Sequence, residues 1–180
     1  MTNAEDMTYP LSQSQLSIYL ACQSLDADGG NYQQASLYKL PASVDTEKLA
    51  AAFEAVVHAH PFVLSRIVLE EGMPRIEDHS EEEWHPLIQD VDSIDEVRPG
   101  FCRVMDLLKD PLFRLEIYRT PDGNYAYLDF HHIIFDGASA MLLTEQVSKA
   151  YAGEALPAER MSGFDITVKE DAQRQGPEYE

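Results

Sequence analysis

The sequence predicts an α/β (α+β) two-layer sandwich, a mixed β-sheet covered by helices. Two stretches, residues 45–60 and 138–151, repeat apolar residues at helical spacing. Two pairs of β-branched and aromatic runs flank short turns, as hairpins do. The two kinds of element are intermixed along the chain, which calls for a layered architecture with helices on a sheet.

The chain has 180 residues, of which 44% are apolar, enough for one compact domain or a large piece of a bigger one. No run approaches the roughly 20 consecutive apolar residues of a membrane span. Met1–Met7 is polar and acidic and lacks the basic start and apolar run of a secretory signal, so the expected location is the cytoplasm. The net charge of −19, from 32 acidic and 13 basic side chains, argues against nucleic acid as a partner, because phosphate binding needs a concentrated basic surface. The acids gather in Glu70–Glu96 and after Gly153, as a solvated outer face and tail would have them. Cys22 and Cys102 share no motif with each other or with nearby histidines and read as reduced thiols.

The first helix starts at Ser12, which caps it. Gln15 completes a capping box, and Leu11 and Leu16 occupy the staple positions. An Asp/Gly-rich loop, Asp26–Asn31, leads to a strand around Ala35–Leu40. Asp45 caps the second helix, whose face is Leu49, Ala52, Phe53, Val56, Val57 and His60, and Pro61 stops it. Phe62–Leu69 and Pro74–Asp78 form a hairpin across Glu71-Gly72. Residues 79–110 are acidic and weakly periodic and read as loops with room for a short helix or strand. Leu112–Arg119 and Asn124–His131 form a second hairpin across Pro121-Asp122-Gly123. A last helix runs from Ala138 to Tyr151, with Gly153 as its stop. Residues 1–155 therefore form the folded unit, and 156–180 read as an acidic polar tail in which only Phe164, Ile166 and Val168 are able to dock.

The chemistry concentrates in Asp129–Ser139, which leaves a strand end, crosses an apolar turn and enters a helix. Successive strand residues face opposite sides. His131 therefore sides with Tyr125, Tyr127 and Asp129, and His132 with Leu128 and Phe130. Diverging rings make a poor metal-chelating pair, even with Asp136 as a third ligand. On an apolar face, His132 loses solvation and stays neutral, able to accept a proton near pH 7, although a satisfied core histidine is the plainer alternative. Asp136 follows Ile133-Ile134-Phe135, which places its carboxylate in a buried turn in need of a partner. Arg66, on the apolar Phe62–Leu64–Val68 face of its strand, is the expected partner. Gly137 permits close backbone approach at the helix start, where amides are free to meet an anion or a carbonyl oxygen.

His131-His132-Ile133-Ile134-Phe135-Asp136-Gly137 matches a His-His-x-x-x-Asp-Gly motif without a gap. In it the sequence resembles the condensation domains of non-ribosomal peptide synthetases, within the chloramphenicol-acetyltransferase-like superfamily. Leu11-Ser12-x-x-Gln15-x-x-x-Tyr19 is similar to the family's opening motif, with Tyr19 where Trp is usual. His58–Arg66 resembles its helix-end and strand segment, and Met105-Asp106-Leu107 followed by Asp110–Arg114 resembles a Phe-Asp-Leu…Gly-Pro-Leu-x-Arg stretch, with Asp110 in place of Gly. The likeness spans residues 9–155.

The resemblance implies the N-terminal lobe of a condensation domain, one lobe of the chloramphenicol-acetyltransferase-like fold, with 156–180 a tail or the start of the inter-lobe linker. It implies amide-bond formation between thioesters held by donor and acceptor peptidyl carrier proteins. His132 is then the functional histidine with Gly137 beside it, while His131, Asp136 and Arg66 support the site. No metal or cofactor is bound directly, since the phosphopantetheine arm belongs to the carriers. A complete domain has two lobes with the reaction tunnel between them, so a single lobe is expected to be inactive alone and to self-associate through its exposed face. Epimerisation, coenzyme A-dependent acyl transfer, or a non-catalytic interaction lobe are the alternatives.

Overall fold

The computed structural model describes residues 7–24 and 30–176. Most of the expected Asp26–Asn31 loop lies outside the described residues; its end forms a short helical turn, Gly30–Tyr32. The elements run β1 (Thr8–Pro10), α1 (Gln13–Gln23), β2 (Gln33–Lys39), α2 (Thr46–Ala59), β3 (Arg66–Glu70), β4 (Met73–Glu77), β5 (Leu87–Asp90), α3 (Ile94–Val97), β6 (Phe113–Thr120), β7 (Gly123–His131), α4 (Gly137–Ala152) and α5 (Gly163–Arg174). They build two sheets rather than one. The larger is mixed, in the order β2-β7-β6-β5, with β5 parallel to β6; the smaller is antiparallel, β1-β4-β3.

Local chemistry accounts for most boundaries. Ser12 and Gln15 close the capping box at α1 in both directions, and Asp45 caps α2 through the Lys48 amide at 2.9 Å. Glu71 and Gly72 both take positive φ, 52° and 82°, the two-residue turn that lets β3 and β4 pair with matching twist. Pro61 does more than stop α2. It opens a tight helical turn, Pro61–Leu64, closed by the Ser65 amide on the Phe62 carbonyl at 3.1 Å. The strand therefore begins only at Arg66, and Ile67 is the buried residue of β3 while Arg66 and Val68 are half-buried.

β7 lies at the centre, paired with β2 on one side and β6 on the other, and Ala126–His131 are all buried. Its apolar face carries Leu128 and Phe130 opposite Leu115 and Phe113 of β6. These join Val56 and Val57 of α2 and Leu143 and Val147 of α4 in the core. Phe135 packs on both Phe130 and Phe113, and Trp84 lies on Phe113 with ring centres 5.8 Å apart.

The opposite face of β7 is polar, and a loop covers it. The fully buried Asp129 carboxylate pairs with Arg114 from the neighbouring strand and accepts from the Gln33 side chain at 2.8 Å and the Tyr127 hydroxyl at 3.0 Å. The same groups hold the loop: Gln33 and Arg114 both donate to the Arg103 carbonyl, Tyr127 accepts the Cys102 amide, and Phe101 stacks on Tyr127 at 4.1 Å.

Residues 163–174 are not part of a polar tail. α5 docks against β1 through Phe164 and Thr167, whereas Ile166 and Val168 stay about half exposed. Tyr9 and Phe62 stack on Phe164 with centroids 4.7 and 4.9 Å away. The Gly163 backbone lies so close to Phe62 that a Cβ would fall 2.3 Å from its ring. Glu170 accepts the Gln13 amide at 2.7 Å and Arg174 donates to the Leu11 carbonyl at 2.9 Å, tying both ends of the described chain together.

Arg114 and Asp129 should respond as a buried ion pair. Arg114→Ala or Asp129→Asn should each cost about 3–5 kcal/mol in urea denaturation, because each strands the other charge. The double variant should lose less than the sum of the two; additive losses would show that the charges are not coupled.

Candidate active site

The turn after β7 carries the motif, and its backbone is held from three sides. The His132 amide donates to the Tyr32 carbonyl at 2.7 Å, the Ile133 amide to His131 Nδ1 at 3.2 Å, and the Ile133 carbonyl accepts from Gln15 of α1 at 2.8 Å. Ile133, Ile134 and Phe135 are buried, and the chain emerges at Asp136 to start α4.

The two histidines face opposite sides of the sheet. His131 is 1% exposed. Its Nδ1 accepts the Ile133 amide, so Nε2 carries the proton and points to Cys22 Sγ at 3.8 Å. Burial, with a smaller contribution from the neighbouring His132, lowers its pKa from 6.5 to about 4. His131 thus stays neutral at pH 7. Burial also raises the Cys22 thiol pKa, which leaves it a poor nucleophile at neutral pH.

His132 lies edge-on to Phe130 and lines a cavity of about 440 Å³ between α1, α2, α4 and α5. Ile18, Val57, Leu143 and Ile166 make much of its wall apolar, while Ser14, Gln15 and His60 add polar groups. His60 sits between Glu159, at 2.6 Å, and the buried Gln146, at 2.9 Å. The α5 contribution and the His60–Glu159 contact were not legible in the sequence, because both depend on segments folding back over the motif.

Arg66 and Asp136 do not pair. Arg66 binds Glu82 at 3.0 Å near the surface, because the Pro61–Leu64 turn breaks the alternation that had placed it on an apolar face. Asp136 is exposed, not buried. Its carboxylate accepts the Ser139 amide and hydroxyl, both at 2.8 Å, as the N-cap of α4. Those two bonds hold its pKa below the usual carboxylate value, with a smaller contribution from His132. The Ser139 amide, one of the helix-start donors expected to meet an outside anion, is therefore taken by Asp136 itself. Gly137 is the exposed first residue of α4, and a Cβ there would meet nothing within 4 Å. Nothing among the described residues approaches Gly137 closely enough to require glycine there.

Among the described residues, no group of three or more His, Cys, Asp or Glu is placed to hold a metal ion, and no helix is long and apolar enough to cross a membrane. The residue that follows the central strand, His132, is thus turned into a largely apolar cavity in a layered lobe.

The family model for the condensation domain matches residues 5–180, and the chain belongs to that family. Surfactin synthase subunit 1 of Bacillus subtilis is 32% identical over 92% of this chain, which spans only 5% of that protein. The starter condensation domain of rhizomide synthetase superposes with a TM-score of 0.74 at 21% identity, covering 94% of this chain and 44% of that one. The epimerization domain from the third module of a tyrocidine synthetase does so with a TM-score of 0.73 at 19% identity, covering 98% and 44%. The chain thus spans less than half of the solved domains whose fold it shares, as a single lobe of the chloramphenicol-acetyltransferase-like fold does.

Two outcomes are expected. An unfolded His131 protonates near 6.5 and the native one near 4, so the unfolded state takes up the proton first. The stability this group confers is present above about pH 6.5 and is lost as pH falls to about 4, on the order of 3 kcal/mol. Urea denaturation between pH 7 and 4 should include that loss, and His131→Asn should make the slope shallower. Asp136→Ala should cost about 1 kcal/mol as a lost cap, and Arg66→Ala no more than about 1 kcal/mol as a lost exposed pair. Their combination should be additive; a coupling above about 0.5 kcal/mol would restore the direct pair.

Proposed function

We propose that this chain is the N-terminal lobe of a peptide-synthetase condensation domain that forms amide bonds between carrier-bound thioesters. The observation that supports the reading is the opposed placement of two adjacent histidines: His131 is buried, and His132, like His60, lines the cavity. In the reaction, the acceptor amine attacks the donor thioester carbonyl carbon, a C–N bond forms and the C–S bond breaks. The amine proton passes to His132 and on to the departing thiol, while the same imidazole orients the amine. Asp136 holds the start of α4 beside His132, and Gly137, without a side chain, keeps the approach to that helix end open. Arg66 supports the neighbouring hairpin through Glu82.

The substrates arrive on phosphopantetheine arms of donor and acceptor peptidyl carrier proteins, so the lobe itself needs no metal or bound cofactor. The strongly acidic surface does not suit nucleic acid, and the setting is cytoplasmic. Catalysis requires the second lobe, because this one supplies only one wall of the reaction tunnel. Until that lobe covers them, the exposed Leu142, Met161 and Ile166 around the cavity favour self-association. The likeness to an epimerization domain supports a second reading, in which His132 removes the Cα proton of a carrier-bound aminoacyl group.

With the chain completed by the C-terminal lobe of a homologous condensation domain, His132→Ala should reduce dipeptide formation between loaded carriers by roughly 10²–10⁴-fold without lowering the melting temperature. An unchanged rate would sink the proposal. Solvent deuterium entering the aminoacyl Cα, with no amide product, would establish epimerisation in its place.

A further inference from the structure

Gln15 does two jobs with one side chain. Its Oε1 accepts the Ser12 amide at 2.9 Å, which is the capping-box bond at the start of α1. Its Nε2 donates to the Ile133 carbonyl at 2.8 Å, 118 residues away in sequence. The side chain is buried, so neither bond competes freely with water.

Only the first bond belongs to helix capping. A capping box works as well with glutamate as with glutamine, because it needs an acceptor. The second bond needs a donor, and a carboxylate at that place would face the Ile133 carbonyl oxygen with no hydrogen to share. The choice of glutamine is thus explained by the loop and not by the helix.

The Ile133 carbonyl closes the segment that carries His132. The segment enters through the His132 amide on the Tyr32 carbonyl and leaves through the Ile133 carbonyl on Gln15. Between those anchors the backbone angles of His132 have little freedom, and the ring is aimed into the cavity that Gln15 also lines. We propose that Gln15 is a positioning residue, tethering the His132 turn to α1 so that the imidazole is held at one orientation in the cavity. The inference rests on the reading of His132 as the functional histidine.

The variant that separates the two jobs is Gln15→Glu, which keeps the acceptor and loses the donor. It should melt within a few degrees of the parent while shifting the His132 ring signals in nuclear magnetic resonance spectra. In the completed domain it should lower kcat roughly 10- to 100-fold, the scale of a misplaced catalytic group, with a smaller change in KM. Asp45→Ala, which removes the cap of α2, is the control for destabilisation alone and should leave the His132 signals in place. Unmoved His132 signals and kcat in Gln15→Glu, or equal movement in Asp45→Ala, would overturn the proposal. Should Gln15→Glu fail to fold, the unaltered chain decides: a scalar coupling across the hydrogen bond between Gln15 Nε2 and the Ile133 carbonyl carbon is expected, and its absence refutes the tether. Activity surviving His132→Ala would defeat the functional reading and leave the tether measurement untouched.

Discussion

Alternation along β7 is the constraint on which the rest of this lobe depends. The strand is paired on both edges and buried on both faces, so each residue has one side to serve and no freedom to change it. Tyr127, Asp129 and His131 serve the polar face under the 101–106 loop, and Leu128 and Phe130 serve the helix-covered core. His132, one step beyond the strand, inherits the core parity and meets the cavity. A shift of pairing by one residue would bury Asp129 among the core aromatics and turn the wrong imidazole to the cavity. Register and chemistry are one requirement here.

That arrangement also decides where charge is buried. The lobe buries a carboxylate behind the sheet, where Arg114, Gln33 and Tyr127 satisfy Asp129 together. The motif turn itself is held by neutral hydrogen bonds, its amides donating to Tyr32 and His131 and its Ile133 carbonyl accepting from Gln15. Asp136 remains near solvent as a helix cap. The turn that presents His132 is thereby fixed without a full charge buried beneath it.

Much of this was legible in the sequence where the signal is local. The Ser12–Gln15 box, the Asp45 cap, the Pro61 stop and both hairpin turns are short-range chemistry, and each appears where its residues predict it. The opposed histidines follow from strand parity alone. What failed was anything that needed a partner distant in sequence. Four-residue β5 answers the short strand allowed for within 79–110, but its place was not legible, because it takes its identity from a parallel neighbour, β6, and has little pattern of its own. α5 looks like a polar tail because its docking rests on Phe164, Thr167 and clearance at Gly163, too few contacts to leave an apolar stripe. The expected Arg66–Asp136 pair extended strand alternation through residues that Pro61 had already curled into a helical turn. The real buried pair, Arg114 with Asp129, needed the β6–β7 register to be seen.

The aromatic packing under the motif carries a further consequence. The chain contains one tryptophan, Trp84, and it rests on Phe113. Phe113 touches Phe135, and Phe135 touches Phe130, whose edge meets the His132 ring. An intrinsic fluorophore is thus wired by direct ring contact to the turn that holds the imidazole. Without any label, the colour and intensity of its emission provide an optical gauge of the packing around that turn.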